Sequence, residues 1–173
     1  MQKLRHYFYR SSLILSGTCL VLMTVLILAQ ISAKLMGVII PSSEDFAGWF
    51  LSATIFLGLA YTFNDGGHIR VTMLLTRLST KNRRWIEFVN IFVGLFITGY
   101  LAYYTIATVQ ESYSYEDVTD TYLVIPLWMV QMPMAVGSLF LFIAMLDSFA
   151  VMLTGRVPTY ISNEDELSSE GVE

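Results

Sequence analysis

The sequence predicts an all-α membrane protein with four transmembrane helices, and three observations carry that prediction. Apolar residues make up 55% of the chain and charged ones only 14%, too few charges to clothe a soluble surface. Four stretches are free of charge, from Ser11 to Ala33, Phe46 to Asn64, Phe88 to Gln110 and Thr121 to Leu146. At ~1.5 Å per residue each can cross a hydrocarbon core of ~30 Å. Trp49, Trp85 and Trp128 all fall near the ends of these stretches, where amphipathic rings anchor at the headgroups. With 173 residues in total, four spans leave little chain for a soluble domain.

The first span, about residues 11–35, follows an arm of residues 1–10 that carries Lys3, Arg5 and Arg10. This start imitates a secretory signal. Its apolar run outlasts a signal core of ~7–15 residues, and Ile31 is a poor residue before a cut at Ala33, so the span is expected to stay uncleaved. Cys19 lies within it as the single cysteine, so no internal disulfide is possible and a packing role is expected.

Gly37 and Pro41 break the chain before the second span, about residues 45–64. Ser42, Ser43, Glu44 and Asp45 offer cap oxygens and acids to the free N–H groups at its start. Asn64, Asp65, Gly66 and Gly67 end it.

Residues 67–84 then predict an amphipathic interfacial helix, because Val71, Leu74, Leu75 and Leu78 recur at i, i+3, i+4, i+7. Arg70, Arg77, Lys81 and Arg84 share an arc beside that apolar face. Such a helix lies flat on a membrane and reaches phospholipid phosphates with its bases, each worth ~1 kcal/mol near an anionic surface. His68 borders it and can serve as a polar interface residue or bind a phosphate.

The third span, about residues 85–110, carries Gly94, Thr98 and Ala102 at four-residue spacing. Small residues in that pattern permit close approach of a neighbouring backbone, within the bundle or from another subunit. The fourth span, about residues 125–153, opens with Pro126 near its N1 position and closes at Gly155 and Pro158. Pro133 within it removes one backbone hydrogen bond, which predicts a kink. Asp147 lies ~31 Å along that helix, so it should reach an interface and pair there with Arg70 or Arg84. Residues 156–173 form an acidic tail expected to be disordered.

Orientation follows from the bases. The N-terminal arm and the connection with Arg70, Arg77, Lys81, Arg83 and Arg84 should be cytoplasmic, which puts both termini inside. Glu111, Glu116, Asp117 and Asp120, with no base among them, should face outside, as should the short connection that carries only Lys34.

What the spans lack excludes several functions. Haem ligation needs axial ligands on facing helices, but His6 and His68, the two histidines, both lie outside the spans. Autonomous transport needs a strongly polar cluster at the midplane, whereas Thr24, Gln30, Thr54 and Thr98 are isolated. An intramembrane enzyme needs a nucleophile with its base, or metal ligands, and none converge. The chain is therefore expected to be non-catalytic, without cofactor, metal or nucleic-acid partner, and to assist another membrane protein.

Gly67-His68-Ile69-Arg70-Val71, placed after a second span and opening a basic helix, resembles the small membrane subunit of tripartite ATP-independent periplasmic (TRAP) transporters. Pro126-Leu127-Trp128, followed by Pro133 and Gly137, is similar to that family's final span, while Thr72 stands where the family commonly has an acid. The resemblance extends over roughly residues 10 to 155. It implies a bacterial inner-membrane complex with a large permease subunit and a periplasmic solute-binding protein, taking up an organic acid, commonly with sodium. In such a complex the small subunit resembles a fixed scaffold, and Trp128, Pro133 and Gly137 join Gly94, Thr98 and Ala102 as packing or subunit-contact candidates. The alternative reading is a free-standing membrane adaptor that recruits a protein partner.

Overall fold

The computed structural model describes residues 2–65 and 80–154, with the side chains of residues 2–6, 80–84 and 87 outside that description. Within it the chain forms α1 (Gln2–Leu35), α2 (Ser43–Asn64), α3 (Thr80–Ser114) and α4 (Leu127–Leu153). All four are long and apolar enough to cross a membrane, so the protein is an all-helical, multi-pass membrane protein.

Helices outrun the charge-free stretches because hydrogen bonding, not hydropathy, ends a helix. Nothing between Gln2 and Arg10 breaks one, so the basic arm continues into α1. Likewise α3, described from Thr80, is already helical before residue 85, and it runs on through Glu111 to Ser114. The remainder of the expected interfacial helix, with His68, Arg70 and Arg77, lies outside the described residues, as does the tail.

Two expected helix starts are corrected. Ser42 is the N-cap of α2 but caps nothing with its side chain. A capping oxygen is aimed by extended backbone, whereas Ser42 has φ 58°, and it is Ser43 whose Oγ donates to the Ile40 carbonyl at 3.0 Å. Pro126 is the N-cap of α4, not N1, because its ψ of 125° lies outside the helical region; the Leu127 N–H bonds instead to the Asp117 carbonyl at 2.9 Å.

The four helices pack as an open row. α1 lies against α2, α2 against α4, and α4 against α3. Consecutive helices run antiparallel, so α2 and α4 in the middle of the row are parallel to each other. At one end, which holds the start of α1 and the ends of α2 and α4, a core forms from Tyr9, Ala60, Phe63, Leu141 and Ala144 with Ile91 of α3. There Phe8 of α1 also reaches Phe140 of α4, with ring centroids 4.7 Å apart.

The opposite end carries two ordered connections. α1 stops where Gly37, at φ 75°, lets the Val38 N–H bond back to the Ala33 carbonyl at 2.9 Å. α3 stops the same way at Glu116, φ 54°, with Asp117 N–H on the Ser112 carbonyl at 3.0 Å. The chain then folds back on itself, Val118 bridging to Pro126, and the buried Thr119 takes the Ile125 N–H on its Oγ1 at 3.0 Å.

Candidate subunit interface

Within lipid, helices gain little by hiding apolar surface from one another, so close packing and hydrogen bonds must hold them together. The α1–α2 seam uses serine hydroxyls. Ser12 Oγ, fully buried, donates to the Leu57 carbonyl oxygen, and Ser16 Oγ donates to the Thr54 carbonyl at 2.7 Å. Each satisfies the hydroxyl and ties one backbone to the next helix.

The α2–α4 seam turns on Gly137. A Cβ there would run into the backbone C and O of Phe56 and lie 2.8 Å from Leu57 N. The two parallel backbones therefore touch at a point that only glycine permits. One residue on, Ser138 is fully buried and shares a 2.7 Å hydrogen bond with Thr105 Oγ1 of α3.

On α3, Thr98 and Ala102 are buried against α4, in line with Ile91 and Thr105. A Cβ at Gly94 would meet Met145 Cε at 3.2 Å, and one at Gly99 would meet Phe142 Cε2 at 3.0 Å. The stripe of small residues is thus filled by α4 of the same chain. Trp128 sits edge-on to Tyr113, centroids 5.8 Å apart, beside a groove of about 500 Å³ that Ile106, Val109, Met132 and Leu139 also line. Pro133 lies inside α4, which stays one continuous helix from Leu127 to Leu153. Asp147 is half-buried next to the buried Ser148, in the half of α4 that joins the four-helix core. Lys81 and Arg84 lie on the first turns of α3, with side chains outside the described residues, so the expected pairing of Asp147 with Arg70 or Arg84 is not described.

Buried polar side chains among the described residues are hydroxyls: Ser12, Ser43, Thr98, Thr105, Ser112, Thr119, Ser138 and Ser148. No described group of three or more His, Cys, Asp or Glu side chains could hold a metal ion. What the molecule offers is surface. The two edges of the row differ in kind. On α1, Val21, Val25 and Leu28 are exposed, and Thr18, Thr24 and Ser32 each donate to the carbonyl four residues back at 2.8, 2.9 and 2.9 Å. On α3, exposed Phe92 and Phe96 lead to Tyr100, Tyr103 and Tyr104. Sequence reading missed these tyrosines, since a tyrosine inside an apolar run counts as one more greasy residue; their depth from both span ends was the available signal.

The family model for tripartite ATP-independent periplasmic transporters, DctQ component, matches residues 22–155. The chain belongs to this DctQ family. A comparison with curated proteins finds no match. As a DctQ component it is the small permease subunit of a TRAP transporter, a family in which this subunit partners a large permease and a solute-binding protein. The matched region begins within α1 and ends just after α4, so the α2–α4 crossing at Gly137 and the Thr105–Ser138 bond both fall inside the DctQ match.

Proposed function

We propose that this DctQ chain is a non-catalytic scaffold that holds the large permease subunit in place while that subunit moves an organic acid, coupled to sodium entry. The observation that carries the reading is the chemistry of the seams. The described residues buried with polar side chains are serines and threonines, and at two seams their hydroxyls tie helix to helix, Ser12 to the Leu57 carbonyl and Thr105 to Ser138. A carrier needs groups that bind, release and change partners; hydroxyls spent on neighbouring backbones suit a fixed frame. In this reading the protein lies in a bacterial inner membrane with both termini in the cytoplasm. His68, Arg70, Arg77, Lys81 and Arg84 then meet phospholipid phosphates, Asp147 is paired at the inner interface, and the connections after α1 and α3 face the periplasm and the solute-binding protein.

Purification of the tagged chain from native membranes in mild detergent tests this. The expected result is a stoichiometric large permease, with substrate flux from liposomes that hold both subunits and none above empty vesicles for this chain alone. Recovery of the chain without a permease sinks the reading, and flux from the chain alone replaces it with autonomous transport.

A further inference from the structure

The charge-free part of α3 runs from Phe88 to Gln110, so its midpoint is next to Tyr100. Tyr103 and Tyr104 lie within ~8 Å of that midpoint at ~1.5 Å per residue. All three are exposed, at 59%, 69% and 51%, and Tyr100 falls opposite the face that packs on α4. Helical side chains lean toward their own N-terminus, so these rings lean back to the middle of the span and not up to the nearer headgroups.

Such a position is wrong for a lipid-facing tyrosine. Hydrocarbon offers the phenol O–H neither donor nor acceptor, which is why membrane tyrosines gather at the headgroup belts. A serine or threonine escapes by bonding back to its own helix, as Thr18, Thr24 and Ser32 do on α1. A tyrosine hydroxyl is too far from its backbone for that. The rings do order one another: Tyr100 packs on Tyr104 at 4.4 Å, and Tyr103 meets Tyr104 edge-on at 5.3 Å. Those contacts use the ring faces and edges, and among the described residues the three hydroxyls meet no hydrogen-bond partner.

We propose that Tyr100, Tyr103 and Tyr104 form the surface on which the large permease subunit seats, each hydroxyl bonding to a polar group of that subunit near the middle of the membrane. The inference rests on the scaffold reading above and names its contact face. Of the two edges of the row, that of α1 is already complete in lipid, whereas that of α3 is not. The family supplies one membrane-embedded partner for this chain, and the incomplete edge is where it belongs.

The test uses the full-length chain co-expressed with its permease, with the photo-reactive amino acid p-benzoylphenylalanine placed at Tyr100 or, as a control, at Val25 on the exposed face of α1. Illumination should link the permease from position 100 and not from position 25. A chain with Tyr100→Phe, Tyr103→Phe and Tyr104→Phe keeps every ring, so it should insert and melt as before while the recovered permease falls about fivefold or more. If the permease co-purifies but position 100 links only lipid or a second copy of this chain, the proposed face is wrong and the scaffold reading stands. Equal linking from both positions, or unchanged recovery with the triple variant, also overturns it. If no permease accompanies the unaltered chain, the scaffold reading and this face fall together.

Discussion

Gly137 is the residue on which two helices depend at once. Because a Cβ there would meet the Phe56 and Leu57 backbone, the distance between α2 and α4 is set by a hydrogen atom. Backbone cannot rotate away as a side chain can, so Gly137→Ala must push the helices apart or tilt them. Overpacking of that kind costs about 1–3 kcal/mol, and the thermal midpoint of the detergent-purified chain should fall accordingly. Gly48 provides the control, since nothing lies within 4 Å of a Cβ built there. Gly48→Ala should leave the midpoint unchanged or raise it. Equal effects of the two substitutions would show that the crossing at Gly137 is not tight. The seam hydroxyls act at the same scale: interhelical bonds such as Thr105–Ser138 typically contribute about 0.6 kcal/mol in lipid, so they fix register more than they add strength.

At the scale of the element, both ends of the row opposite the four-helix core rely on left-handed residues to stop a helix. Gly37 adopts that backbone at no steric cost, while Glu116 adopts it against the usual preference of a side chain. Gly37→Ala therefore forces a Cβ into the same strained region and should destabilise the α1–α2 hairpin by about 1 kcal/mol, read as a lowered thermal midpoint. An unchanged midpoint would mean that the turn at residue 37 bears no load.

The elements themselves were legible in the sequence because charge and hydropathy mark a span regardless of its neighbours. Four helices long enough to span appear where the sequence offers four apolar stretches, although α1 starts nine residues before the first expected span, and the breakers Gly37 and Pro41 fall in the α1–α2 turn. Which face of each helix meets which neighbour was not legible. In water a helix shows its buried side by apolar periodicity, but in lipid both sides are apolar and the pattern vanishes. The exceptions are small or polar residues. Gly94, Thr98 and Ala102 stand out by spacing; Thr98 and Ala102 are buried, and a Cβ at Gly94 would meet Met145 of α4. Ser12 and Ser16 do not stand out, since a lone serine in an apolar run reads as bonded to its own helix.

For the whole molecule, the open row explains how so small a chain presents so much surface. The best-hidden span, α4, has only 33% of its most apolar window buried, and α1 has 6%. Much of each helix therefore stays exposed to lipid or to another subunit. The row also has an unusual economy of connection. Its main contacts fall into α1 with α2, α3 with α4, and one extensive meeting of helices distant in the chain, α2 with α4.

That pattern bears on how the protein is made. Each hairpin can enter the membrane and close on itself as soon as its second helix leaves the ribosome, with no need to wait for the rest of the chain. Final assembly is then a single docking event between two preformed halves. Residues 1–66 and 67–173, expressed as separate polypeptides, should consequently find each other in the membrane and co-purify. Gly137→Ala should abolish that pairing while leaving both fragments inserted. Fragments that never pair would show that the halves must be born tethered.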